Sequence, residues 1–274
     1  MADRLVGEAE LSIASLEESA RWLAQLTGDR PVHRVLDLGS GPGVEACVLA
    51  AAFPDAVTEA VDGSARLLAL AAERATGLGV GDRFVTSERQ LPDGLDSLEP
   101  ADVVVSSRVV HHLGDQAAAI RRIAALVRPG GLLAISEGGL PQRTLPRDIG
   151  VGRPGLEARI DVALQDWFGE MRAAQPDAVA TVEHWPGILA GAGLVPCGSR
   201  SFLTDLPAPL DERARAVVTA RWGGVRDRVQ EVLAADDLGT LDRLLDPDDP
   251  AGLQRRDDLY LLTASTVHVA RVRG

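Results

Sequence analysis

The residues Val35-Leu36-Asp37-Leu38-Gly39-Ser40-Gly41-Pro42-Gly43 carry the densest chemical signal in the chain. Val35 to Leu38 reads as a short buried parallel strand with one carboxylate, Asp37. Glycines then alternate with Ser40 and Pro42, and Val44 to Ala52 reads as a helix. Strand, glycine turn and helix make the first unit of a nucleotide-binding α/β sheet. Glycine lacks a Cβ, so the backbone can come close to a ligand. The helix start adds free N–H groups and a partial positive charge. A second carboxylate, Asp62, stands with Gly63 at the tip of the next strand, Ala56 to Val61. Its two oxygens match the vicinal hydroxyls of a ribose. Asp62 or Ser64 also suits the N-cap of a helix over Ala65 to Ala75.

More polar residues fall where later strands end. Arg83 to Thr86 reads as the third strand, with Ser87 and Glu88 just beyond it. Asp102 to Val105 is the fourth, followed by Ser106-Ser107-Arg108-Val109-Val110-His111-His112-Leu113. Leu132 to Ser136 is the fifth, with Glu137 at its carboxyl end. Ligands of open α/β sheets sit at such carboxyl ends. His111, His112 and Glu137 are the candidate acids and bases. Adjacent histidines point in different directions and make a poor metal pair, so no metal is expected.

The glycine spacing is G-x-G-x-G, with Val44 where the dinucleotide fingerprint places its third glycine. With Asp37 two residues earlier, the string resembles motif I of the class I S-adenosylmethionine (SAM)-dependent methyltransferases. The run from Ser106 to Leu113 is similar to that family's motif after strand four. Leu126-Val127-Arg128-Pro129-Gly130-Gly131-Leu132-Leu133 resembles its last common motif. The resemblance is continuous from Val32 to Glu137. It implies SAM as cofactor and in-line transfer of its methyl group to a nucleophile. It places Asp37, Gly39, Ser40, Gly41, Gly43, Asp62, Gly63, Ser87, Glu88 and Ser106 around the cofactor. The string after strand three departs from the family's common Gly-Asp pattern, which weakens the adenine contact at Ser87 or Glu88. Holding donor and acceptor aligned near 3–3.5 Å supplies much of the rate of such a transfer. A base is needed only where the acceptor starts protonated. A catalytically inactive relative that binds SAM or a partner is the alternative.

The implied fold is α/β: a seven-stranded doubly wound sheet with an antiparallel last hairpin, plus a helical cap built from two insertions. Segment 1–30 is an N-terminal helical segment, with an amphipathic helix over Leu11 to Leu26. Segment 31–140 is the Rossmann-like core. Segment 141–184 is a cap insertion, entered through the Gly/Pro/Arg-rich stretch Gly138 to Gly155 and holding a helix from Leu156 to Ala174. Segment 185–205 returns to the core with a helix, Trp185 to Gly191, and strand six, Ser199 to Leu203. Segment 206–258 is a second cap insertion, and 259–274 is the last strand. Insertions this long tend to be functional. Trp167, Trp185 and Trp222 in these later segments, with Trp22 and Arg108, are the candidate acceptor contacts. They fit a small, aromatic or partly apolar metabolite.

A net charge of −12 argues against nucleic acid or an anionic membrane as partner. The chain has no lysine, which excludes Schiff-base chemistry and lysine bases. Cys47 and Cys197 lie in apolar segments and suggest no disulfide framework. No apolar signal core opens the chain and no run is long enough to span a bilayer, so a cytoplasmic protein is expected. The oligomeric state stays open, a homodimer included.

Overall fold

A computed structural model describes residues 2–274. The chain runs α1 (Ala2–Leu11), α2 (Ile13–Thr27), β1 (Arg34–Leu38), α3 (Val44–Ala52), β2 (Val57–Asp62), α4 (Ala65–Gly77), β3 (Phe84–Glu88), β4 (Ala101–Ser107), α5 (Gln116–Ala125) and β5 (Val127–Arg143). It continues through α6 (Leu156–Ala173), α7 (Trp185–Gly191), β6 (Val195–Leu206), α8 (Glu212–Val229), α9 (Ala235–Leu245) and β7 (Leu261–Arg271). The strands form one sheet in the order β3-β2-β1-β4-β5-β7-β6. β1 to β5 are parallel, and β7 runs antiparallel to both β5 and β6. This is the seven-stranded sheet with a last antiparallel hairpin expected from the sequence.

The order reverses between β1 and β4, which opens a crevice at their carboxyl ends. β1 and β4 are central, so both their faces are covered and Val35, Leu36, Val103 and Val104 are fully buried. Several helices start on polar caps: Ser64 accepts from the Leu67 N–H, Asp115 from Ala118 and Asp211 from Ala214.

Two elements differ from the sequence reading. The N-terminal helix is two helices that break at Ser12, whose carbonyl accepts the Ser15 hydroxyl. The extra helix, α1, leans on α8, and a Cβ on Gly7 would stand 2.6 Å from Val217. β5 also runs on to Arg143, where a loop entering the cap was expected. It crosses two register shifts against β7, one at Gly138 and Gly139 and one around Pro141. Those glycines take φ of +74° and +124°, and Pro141 sits where the ladder is interrupted. Bulges let a strand carry residues that a regular ladder rejects.

Residues from both long excursions share one apolar cluster. Leu145, Ile149 and Ile160 of the first meet Val218, Trp222 and Leu241 of the second. This cluster fixes α6 and α8 over the sheet's carboxyl edge and so sets the roof of the crevice.

Candidate active site

The glycine turn is pinned from below. The Gly39 and Ser40 N–H groups donate to the Val61 carbonyl, at 2.7 and 3.0 Å. The Asp62 carboxylate then bridges two segments, accepting from the Gly41 N–H at 2.9 Å and the Ser64 N–H at 2.9 Å. Each oxygen thus keeps acceptor capacity on the side of the crevice. A cavity of about 680 Å³ opens there, with Asp37, Gly39, Ser40, Gly41 and Asp62 on its floor. α1 contributes Arg4, Leu5 and Glu8, while α6 contributes Trp167, Phe168 and Met171.

Burial pushes the Asp37 carboxyl well above the ordinary carboxylate range, and the charges of Glu45 and Asp62 add to this. Glu45, in the first turn of α3, is also raised by burial, against the pull of Ser107 and Arg108. Asp37 Oδ2 and the hydroxyls of Ser40 and Ser106 are buried without a hydrogen-bond partner among the described residues. Native interiors satisfy almost all such atoms. A ligand with an ammonium group, a sulfonium and ribose hydroxyls would engage the floor atoms and the Asp62 oxygens, so the residues fit SAM.

The loop after β4 closes the far wall. Arg108 has φ of +56°, unusual for a residue with a side chain, and it lines the cavity. His111 Nδ1 lies 2.8 Å from Glu137 Oε2, and the two histidine rings are 4.1 Å apart. Arg172 of α6 donates to the His111 and Leu113 carbonyls, both at 2.7 Å, and so ties the roof to the loop. His111 and His112 both reach the cavity. Burial and the neighbouring His111 hold the His112 imidazole below its ordinary pKa, so near neutral pH it is uncharged and able to accept a proton.

Several residues singled out in the sequence stand elsewhere. Gly43, at φ +74°, faces the Ala71 backbone and lets α3 approach α4. Gly63 abuts Gln90, which donates to its carbonyl at 3.0 Å. Ser87 turns its hydroxyl to Glu59, and the exposed Glu88 pairs in register with Asp62. Neither lines the cavity floor. Ser106 is wholly buried and Ser107 reaches the cavity instead, because successive strand residues point to opposite faces. Glu137 is buried against His111 and braces that ring from behind the wall. Trp22 packs on Phe202 with ring centroids 5.8 Å apart, and Trp185 is in the core between the sheet and α7. These tryptophans bury apolar area and do not face the crevice. Trp167 does face it, under the Arg228 guanidinium 5.1 Å away. Trp222 lines an adjoining chamber and donates to the Thr144 hydroxyl at 2.9 Å.

The sequence reading missed Glu45, Arg221, Arg228 and the whole α1 wall. Glu45 had a signal, since it stands two residues past Gly43 in the first turn of the following helix. Arg221 had none, being one arginine among many in a charged insertion. It lines the main cavity and two adjoining chambers.

A crevice at the switch point, an acid on the first strand, a glycine turn and a second acid on the next strand define a SAM-dependent methyltransferase site on a class I fold. Comparison with known proteins agrees. Residues 36–133 match the family model described as a methyltransferase domain. Trans-aconitate 2-methyltransferase of Methylobacterium nodulans is 31% identical over 222 residues, which cover 75% of this chain and 83% of that protein. The enzyme of the same name from Rhodococcus jostii is 34% identical over 123 residues, 44% of this chain and 45% of that one. A solved O-methyltransferase family protein from Burkholderia thailandensis shares the fold at a TM-score of 0.52 and 16% identity, covering 97% of this chain and 58% of that one. The chain belongs to the class I SAM-dependent methyltransferases. Among the described residues, no helix is long and apolar enough to cross a membrane.

The raised Asp37 and Glu45 carboxyls give a signed expectation. Cationic groups on the cofactor favour their ionised forms, so binding should release protons. SAM affinity is expected to rise with pH through the raised range and level off above it. Calorimetry in buffers of differing ionisation enthalpy reads this directly, and Asp37→Asn should flatten it. Net proton uptake on binding would contradict the assignment.

Proposed function

We propose that the chain methylates a small acceptor bearing a carboxylate and a partly apolar body, held between α1, α6 and α8. The observation that carries this reading is the pairing of Arg108 and Arg221 beside the cofactor floor. Burial depresses the Arg221 pKa. Glu8 offsets this through charge, while Arg228, Arg108 and Arg4 add to it. Such a guanidinium gains from an incoming anion that it can bind in a two-pronged way. Trp167, Phe168 and Met171 supply the apolar wall. The curated relatives, named for trans-aconitate, favour a carboxylate over a phenol or an indole.

SAM bound on the floor supplies an electrophilic methyl group. The protein's part is to hold the acceptor in line with it and exclude water. A carboxylate is ionised at neutral pH and needs no base, so uncharged His112 would orient the acceptor through a hydrogen bond.

The test is transfer of labelled methyl from SAM to trans-aconitate, hexanoate, phenylacetate, phenol and indole. Label should enter base-labile esters of the carboxylates. Transfer to phenol or indole alone would restore an aromatic acceptor, and SAM binding with no transfer would favour an inactive relative. His112→Ala should slow single turnover of a carboxylate about tenfold; a loss of ~10² or more would make it a general base.

A further inference from the structure

Behind Arg221 lies a second chamber of about 340 Å³. Its walls are the bulged end of β5, α6 and α8. Leu164, Gln165, Arg221 and Val225 line both it and the cofactor cavity, so the two spaces meet at Arg221. No step of the transfer itself requires this chamber.

Its chemistry differs from that of its mouth. The carboxyl groups of Glu157 and Asp161 stand in its wall, and Arg221 is its lining cation. Arg143, the nearby guanidinium, is already paired with Asp161. Glu157 accepts from the Thr144 N–H at 2.9 Å and the Thr144 hydroxyl at 3.0 Å, so Thr144 is spent as a donor. Gln142 and Gln165 add amides, while Ile160 and Trp222 add apolar surface. An anion passing beyond Arg221 would therefore meet the like charge of Glu157 and Asp161, against which the Gln142 and Gln165 amides are neutral donors. A group that donates hydrogen bonds would meet complementary partners.

Building on the carboxylate reading above, we propose that this chamber binds the non-reacting arm of the acceptor, and that the arm donates hydrogen bonds through a hydroxyl, amide or amine. The acceptor thus carries its carboxylate at Arg108 and Arg221 and a donor several bonds away. A polycarboxylate such as trans-aconitate is then a poor fit, because its arms are anionic. The walls of this chain, and not the names of its relatives, set that preference.

The experiment uses the full chain with S-adenosylhomocysteine bound and four carboxylates of equal length: hexanoate, 6-hydroxyhexanoate, 6-aminohexanoate and adipate. Binding is measured calorimetrically at neutral pH. The hydroxyl and amine arms are expected to bind about tenfold or more tighter than adipate, with hexanoate between. Asp161→Asn removes one wall charge and releases Arg143, so it should narrow the gap between 6-aminohexanoate and adipate by about threefold or more. An unchanged S-adenosylhomocysteine affinity reports that this variant is folded. Adipate binding as tightly as the donor-bearing arms would overturn the proposal and leave the carboxylate reading intact. So would an Asp161→Asn variant that keeps the full discrimination. Failure of all four to bind would remove the carboxylate reading, and this proposal with it.

Discussion

Gly41→Ala is expected to weaken cofactor binding by at least ~100-fold while leaving the protein folded. Gly41 has φ of +53°, and a Cβ built on it meets no atom of the protein within 4 Å. That open space belongs to the cavity whose floor Gly41 forms. The left-handed conformation costs an alanine about 1–2 kcal/mol. In a chain of this size each kcal/mol lowers Tm by only about 2–4 °C. A methyl group on the cavity floor, however, holds a ligand away from the turn and from the Asp62 carboxylate. A loss of at least ~100-fold in SAM affinity, about 2.8 kcal/mol, is the expected size. Gly39→Ala is the contrasting variant: its Cβ would stand 2.2 Å from Val109 Cγ2, so the protein itself should be destabilised. Differential scanning calorimetry and SAM titration separate the two effects. Wild-type affinity in Gly41→Ala would leave the turn as ordinary chain reversal, needing small residues for geometry alone.

The sequence exposed what is local and missed what is assembled. The string from Val35 to Gly43 spells its own strand, turn and helix. Asp62 sits one βα unit later, and so the floor of the crevice was legible. The α/β class followed from alternating strands and helices, and the antiparallel last hairpin from the family resemblance. The acceptor side was not legible, for a physical reason. Its walls come from α1, the loop after β4, α6 and α8, which are far apart in sequence; α6 and α8 meet in the cluster around Trp222 and Val218, and Arg172 ties α6 to the loop. Tryptophan drew attention there by its rarity, yet Trp22 and Trp185 are packing residues. Arg221 is one helical position before Trp222, and only the packing of α8 turns the one toward the crevice and the other toward Thr144. The length of β5 was hidden because glycines and a proline read as a loop, until β7 supplied a partner that tolerates bulges.

The second large effect is expected at Arg221. Arg221→Gln should raise the acceptor KM by about 10²-fold, the scale for losing a desolvated charge pair. The affinity for S-adenosylhomocysteine should change little, because on the proposed reading Arg221, where three spaces meet, holds the acceptor and not the cofactor. The sign of the stability change is the more telling readout. Burial and nearby arginines disfavour the charged form of Arg221 in the folded state, with Glu8 the counter-charge. A cation kept there costs the ligand-free fold, so a neutral side chain of similar reach should leave Tm unchanged or raise it. Residues kept for function at the expense of the fold behave in this way. An arginine that served only to brace α8 would do the reverse, with Arg221→Gln lowering Tm and sparing the KM. Thermal unfolding without ligand, together with initial rates over a range of carboxylate concentration, decides between the two. Arg221→Lys adds a further check. It restores the charge without the planar fork, so it should recover part of the lost affinity if a point charge suffices, and little if the carboxylate is held bidentately.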